Sequence, residues 1–370
     1  MDPVAHTLFG ATLAETGLKR RSRYATATLL IGANLPDIDV VFGAGGPDFE
    51  LYMRRGYTHG ILALFLLPLL LTGGVMLWHR WRGSTADAQA SPFNARAILA
   101  LAFLSIWSHP MLDWMNTYGV RLLMPFDTRW FYGDTLFIVD PWFWLLTAAG
   151  VVMARSRRWP MIAGRLLLTA LASVLILTTN LVPVAVKLAW CLGVAAVVAL
   201  RWRRPAWAAS QPVARIGLAA LLLYIGAAFG VARLAESAVA GRFATAEQVQ
   251  ANTMPGVPFS YRFVVVDGEH YRILAQDGTV HELPRQQPDA IVRRALADPS
   301  IRGFANWTRF PTWTVEEAGD HWLVTFRDLR YQGPDVPDPR GIGFAQVKVP
   351  KEAKDVTEAQ DVQEAQDVQR

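Results

Sequence analysis

A chain of 370 residues that is 52% hydrophobic, with a mean hydropathy of +0.21, is too apolar for an ordinary soluble enzyme. Its formal charge of +5 does not describe a nucleic-acid surface, because the basic residues fall in short arginine clusters between apolar runs. The single cysteine, Cys191, excludes an intrachain disulfide, and its place in an apolar run predicts small core filler.

Residues 3–18 form a short apolar segment carrying His6 and Glu15, below the ~20 residues a span needs. Asp2 and His6 interrupt the start and no basic stretch precedes it, so no cleavable signal peptide is expected. Lys19, Arg20, Arg21 and Arg23 follow. Segment 24–41 is apolar until A-N-L-P-D-I-D at 33–39, where Pro36 is expected to end or bend the helix beside Asp37 and Asp39. A Gly/Pro-rich loop leads to R-R-G-Y-T-H-G at 54–60, with Thr58 the expected N-cap of a span over 60–78. His79, Arg80 and Arg82 close that span, and 83–92 reads as a polar loop.

The span over 95–115 ends in S-H-P-M-L-D-W-M-N-T-Y-G at 108–119. A spacing of four puts His109 and Asp113 on one helix face, shared by Asn116 three residues on. Imidazole, carboxylate and amide at the mouth of a membrane helix are costly to keep without a role, and a metal takes up lone pairs that lipid cannot. Pro110 is expected to mark a kink or a helix start. The loop beyond holds Arg121, Asp127, Arg129, Trp130, Tyr132 and Asp134. Segment 136–152 is interrupted by Asp140-Pro141 and closed by Arg155, Arg157 and Arg158. Segments 161–178 and 182–200 read as a hairpin closed by Arg201, Arg203 and Arg204, and 217–232 as a last span.

The pattern therefore predicts an all-α polytopic bundle of about eight helices. The base clusters follow alternate segments and mark the cytoplasmic side, while the polar motifs fall at the opposite ends. Both termini are then external, at a bacterial inner membrane. A metal-site domain spans 1–155 and additional helices span 156–240. After 241 the pattern turns to alternating strands with Asp267-Gly268 and Asp277-Gly278 hairpins and a helix over 288–297. Residues 241–350 are thus a small α+β or mostly-β external domain, and the hexapeptide-like repeat over 351–370 reads as a disordered tail.

His6, Asp37, Asp39, His59, His109 and Asp113 are the candidate metal ligands, exceeding the three or four protein ligands of one catalytic zinc. One or two divalent ions are expected, zinc first and manganese as the alternative. Asp39 or Asp37 is the candidate base for a metal-activated water. Arg55, Asn116, Arg121, Arg129 and Trp130 are candidates for substrate contact, and Asn34, Asp134 and Asp140 for orienting the ligands. The bland reading makes each polar residue interhelical glue, and a metal-handling transporter or a non-catalytic interaction protein is the alternative to an enzyme.

M-D-P-V-A-H-T-L-F-G, N-L-P-D-I-D, R-G-Y-T-H-G, S-H-P-M-L-D-W-M-N-T-Y-G and F-I-V-D-P occur in that order. Over roughly residues 1–155 the chain resembles the YdjM-type membrane-bound metal-dependent hydrolases, a family distantly similar to zinc-dependent phospholipase C and single-strand nucleases. The resemblance implies ligand roles for His59, His109 and Asp113, with Asp37 or Asp39 as the preceding carboxylate and His6 near a further metal. No second downstream His…His-x-x-x-Glu set follows, which favours one or two ions over three. A membrane lipid or a small phosphoester is the expected substrate, and no nucleic acid is expected as partner.

Overall fold

The computed structural model describes residues 1–82, 91–154, 159–203, 209–243, 245–331, 333 and 341–351. Arg155, Arg157, Arg158, Arg204, most of the 83–92 loop and the repeat tail from 352 lie outside the described residues.

Helix α1 (Pro3–Glu15) begins where Asp2 accepts hydrogen bonds from the Val4 and Ala5 amides, with proline at the first position, where no amide is wasted. Helix α2 (Ala25–Gly32) stops short of Pro36, and a 3₁₀ stretch over Leu35–Gly45 continues from it at a bend of 41°. Then come α3 (Pro47–Met53), α4 (Ile61–Arg82) and α5 (Ala95–Trp114), the last capped by the Asn94 side chain. Pro110 lies inside α5 and does not start or end it: His109 and Asp113 on either side are locked into buried contacts. Helix α6 (Pro141–Met153) starts at Asp140, whose carboxylate caps the Phe143 amide at 2.8 Å. Asp140 therefore begins a helix and does not interrupt one. Helices α7 (Trp159–Thr178), α8 (Val184–Arg203) and α9 (Ser210–Ala240) complete the bundle.

Among the described residues four helices, α4, α5, α8 and α9, are long and apolar enough to cross a membrane, and a fifth span results if α2 and the 3₁₀ stretch count as one. At 13 residues, α1 and α6 are shorter. The pattern of apolar runs counts about eight segments because hydropathy does not measure unbroken helix length. Leu62, Leu66, Leu69 and Leu70 on α4 and Leu188 and Leu192 on α8 are exposed, an apolar surface suited to lipid and not to water. Cys191 is exposed on α8 as well, so it fills no core.

The two ends of the bundle differ in chemistry. At one end Arg23 meets the Pro92 carbonyl, Tyr24 lies edge-on to His79, and Arg215 of α9 bonds the Thr16 carbonyl. This end carries the basic runs after α1 and α4. At the other end lie His6, Asp37, His59, His109 and the start of α6. Between them Phe9, Leu29, Leu101, Phe143 and Leu221 form the core. Helix α9 packs tightly on α6: a Cβ on Gly150 would stand 2.5 Å from the Ala214 Cα. Gly150→Ala is expected to lower stability by about 1–3 kcal/mol, the overpacking outweighing the helix-propensity gain. Thermal unfolding in detergent measures it, and an unchanged midpoint would refute the close contact.

The last third of the chain forms two antiparallel sheets. Strands β1 (Ala246–Thr253), β2 (Tyr261–Asp267), β3 (His270–Leu274) and β4 (Val280–Pro284) pair in sequence order. Helices α10 (Ala290–Leu296) and α11 (Arg302–Trp307) follow, then β5 (Pro311–Ala318), β6 (His321–Asp328) and β7 (Phe344–Pro350). The hairpins at Gly268 and Gly278 form as the sequence predicts. Strand β1 escapes a pattern reading because A-E-Q-V-Q-A-N-T lacks apolar alternation; pairing with β2 makes it a strand. This domain docks on the polar end of the bundle. Asp48 of α3 accepts hydrogen bonds from the Gly303 and Phe304 amides at the start of α11, each 2.8 Å. Arg309 pairs with Asp134 at 2.7 Å, and Trp130 donates to the Asn306 side chain.

Candidate metal centre

Four side chains from three parts of the chain converge: Asp37 from the 3₁₀ stretch, His59 from the turn before α4, and His109 and Asp113 from α5. His59 Nε2 lies 3.1 Å from His109 Nε2 and 3.3 Å from Asp113 Oδ2. His109 Nε2 lies 3.5 Å from Asp113 Oδ2 and 3.7 Å from Asp37 Oδ1, and His59 Nε2 is 3.9 Å from the latter. A tetrahedron of N and O ligands about 2.0–2.2 Å from a zinc ion has edges of about 3.3–3.6 Å, so these separations fit with small adjustments.

The protons support the same reading. His109 Nδ1 is 2.6 Å from the Ala33 carbonyl, which only accepts, so that nitrogen carries the hydrogen and Nε2 is the atom turned toward the cluster. His59 Nδ1 faces the Thr58 hydroxyl at 3.0 Å and Asp39 Oδ2 at 3.4 Å, leaving its Nε2 inward. Asp37 Oδ1 and Asp113 Oδ2 are buried without a hydrogen-bond partner. Two partnerless carboxylate oxygens thus face two imidazole nitrogens, and the donor set of two imidazoles and two carboxylates suits a divalent metal.

The surrounding residues hold these ligands. Asp39, 1% exposed, accepts from the Arg55 amide at 2.8 Å and the Thr58 hydroxyl at 3.1 Å, and so orients His59 from behind. Thr58 is thus spent on this triad, and its expected role as an α4 cap does not appear. Asp113 Oδ1 receives Arg55 Nη2 at 3.0 Å, the Met1 amino group, and His6 Nε2 at 3.3 Å. His6 stacks on His109 with ring centroids 3.7 Å apart, outside the four-atom cage. The backbone at Arg55 is left-handed, φ +51°, and its guanidinium reaches Asn116 Oδ1 at 3.0 Å and the Gly119 carbonyl at 3.1 Å. It also lies over the Tyr118 ring, whose phenol burial pushes up to about 12 against the pull of Arg55 and Arg54.

Arg55, Asn116 and Arg121 are therefore buried, and their hydrogen bonds go to the protein. Arg121 bonds the Tyr52 and Arg54 carbonyls and lies over Trp130. Arg129 pairs with Asp127 at the surface, with its side chain 73% exposed, and is not brought to the cluster. Asn34 bonds Thr7 and the Leu30 carbonyl; Asp134 serves the domain interface; Asp140 caps α6 and accepts from Tyr224. None of these three touches a ligand of the cage through the contacts just given. The residue that spacing alone cannot separate from its neighbour is Arg54. It lies 3.5 Å from both Asp37 and Asp39 with its side chain 21% exposed, and these two carboxylates raise its pKa against the effect of partial burial. Asp37 is the one ligand of the cage with an accessible edge, 13% of its side chain.

Residues 1–182 match the family described as YdjM inner membrane protein. No curated protein and no solved structure matches the chain.

Proposed function

Because residues 1–182 belong to the YdjM inner membrane protein family, we propose that the chain is a membrane-embedded, metal-dependent hydrolase acting on a phosphoester, such as a lipid headgroup, at the external face. The observation that carries this reading is the convergence of four potential ligand atoms on Asp37, His59, His109 and Asp113, two of them carboxylate oxygens buried without a hydrogen-bond partner. A divalent cation held by these four residues, zinc by their two-nitrogen, two-oxygen character, would supply Lewis-acid polarisation, and it would acidify a water taken on in addition to the four protein atoms. The chain supplies the rest. Arg54, beside the accessible edge of Asp37 and paired with Glu50 at 3.0 Å, is the cation that would meet an incoming phosphoryl oxygen by exchanging one of these carboxylate contacts. Asp39 Oδ1, buried, without a hydrogen bond and 3.5 Å from Arg54, is the carboxylate oxygen that would serve as base. Asp39 Oδ2 and Thr58 meanwhile keep the His59 ring aimed. A bundle of about eight membrane segments, with both termini and the small domain external, completes the proposal. The basic runs at the far end of the bundle support that orientation through the preference of positive charge for the cytoplasm.

Purified full-length protein is expected to hold about one divalent transition metal per chain, as a four-ligand cage does. Chelation is expected to remove it together with activity on a panel of phospholipids and phosphodiesters. Elemental analysis run beside the panel decides: protein without metal after loading with zinc or manganese ends the reading. Metal uptake into proteoliposomes without hydrolysis would replace it with transport.

A further inference from the structure

The small domain reaches the metal centre through one buried arginine. Arg330 is 4% exposed, with its side chain fully enclosed, and lies in the turn two residues beyond β6. Its guanidinium bonds Asp328 at 2.8 and 3.0 Å, the Thr117 carbonyl at 2.8 Å and the Trp307 carbonyl at 3.0 Å. It lies over the Trp307 ring at 4.3 Å. Trp307 Nε1 in turn donates to the Tyr118 carbonyl at 2.9 Å, and Tyr331 meets the Thr117 hydroxyl at 3.2 Å. Two successive carbonyls of the bundle, at Thr117 and Tyr118, are thus gripped by the domain.

Those same residues hold Arg55. The Tyr118 amide bonds Asn116 Oδ1 at 2.9 Å, fixing the oxygen that receives Arg55 Nη1. The Tyr118 ring supports the Arg55 guanidinium at 4.6 Å, and the Gly119 carbonyl accepts from it. Arg55 then bonds Asp113 Oδ1, whose other oxygen faces the two histidines. Its amide also bonds Asp39 behind His59. Arg55 therefore touches both carboxylates that set the ligand geometry.

We infer that Arg330 and Trp307 are positioning residues: docking of the small domain sets the Asn116–Gly119 loop, which aims Arg55 and through it Asp113 at the metal. The inference rests on the four-ligand reading of the centre. It makes the domain a structural part of the metal site, and metal affinity becomes a reporter of domain docking.

The test uses full-length protein in detergent, loaded with cobalt(II), in wild type, Arg330→Gln, Arg330→Lys and Trp307→Phe forms. Trp307→Phe keeps an aromatic ring and removes the one donor to Tyr118. Affinity is read by competition with a chelator, geometry by the cobalt visible spectrum, and folding by thermal melts. Both Arg330→Gln and Trp307→Phe are expected to bind cobalt about tenfold more weakly or worse, as loss of groups behind metal ligands does, with a changed spectrum. Arg330→Lys keeps the charge but not the fork and is expected to recover only part of the affinity. A purely structural role would shift melting alone, so folded variants with wild-type affinity and spectrum overturn the inference. If Arg330→Gln does not fold, Trp307→Phe decides alone. A wild type that binds no cobalt overturns the metal reading and this inference with it, an outcome distinct from variants that match a loaded wild type.

Discussion

Asp113→Ala is expected to abolish stoichiometric metal binding and to destabilise the bundle. Asp113 is fully buried, and its Oδ1 alone neutralises Arg55 while also meeting His6 and the Met1 amine. Removing it leaves Arg55 enclosed without its carboxylate at Asp113, a change that costs about 3–5 kcal/mol when one partner of a buried pair is lost. It also takes one of two anionic ligands from the cage. Asp113→Asn separates the effects, since the amide keeps the shape and loses the charge: folding should survive better than metal binding. Asp39→Asn provides the contrast, because Asp39 orients His59 from behind and is not one of the four cage atoms. Its affinity loss should stay within about 10–100-fold, the range for groups behind a ligand. Elemental analysis and chelator competition on the three proteins measure this. Full metal content in Asp113→Asn would remove Asp113 from the ligand set, and complete loss in Asp39→Asn would add Asp39 to it.

Asp328→Ala is expected to undock or unfold the small domain. One buried carboxylate accepts from the Thr308 hydroxyl, the Arg309 amide, the Arg330 amide and the Arg330 guanidinium. Without it the enclosed Arg330 charge has no counter-ion within the pair, and the expected cost is again about 3–5 kcal/mol. The same pair gives a pH signature. Burial alone would raise the Asp328 carboxyl, but Arg330 and the amides hold it below the ordinary carboxylate range. A depressed folded value contributes stability that is complete above the unfolded value, about 4, and is lost as pH falls through the folded value below it. The wild-type domain should therefore be insensitive to this group from neutral pH to about 4 and weaken only under stronger acid, whereas Asp328→Ala loses that contribution at every pH. Limited proteolysis of the full chain across pH reads both; equal resistance of variant and wild type at neutral pH would refute the expectation.

Much of the site was legible in the chain. His109 and Asp113 share a face because four residues is about one helical turn, and no tertiary information is needed for that. His59 and the Asp37/Asp39 pair stood out as polar groups at the ends of apolar runs. The apolar runs likewise announced membrane helices, and glycine turns announced the hairpins of the small domain. The division of labour among neighbours was not legible. Asp37 and Asp39 are two residues apart and chemically identical, yet one faces the histidines and the other backs His59. Arg54 and Arg55 are adjacent, yet one stays at the opening and the other is enclosed between Asp113 and Tyr118.

Sequence by itself determined the residue types, the local periodicity and the apolar surface, because helix geometry and transfer free energy depend on nearby residues alone. Only the tertiary structure decided which oxygen meets which nitrogen, that Asp134 joins the domain interface while Asp140 caps a helix, and that Arg330 and Arg55 hold neighbouring residues of one loop. Those choices follow from how the 3₁₀ stretch, the turn before α4, the end of α5 and a distant sheet cross in space. Distances of 2.8–3.4 Å between residues about 20 to more than 200 positions apart are set by packing, which no local pattern encodes.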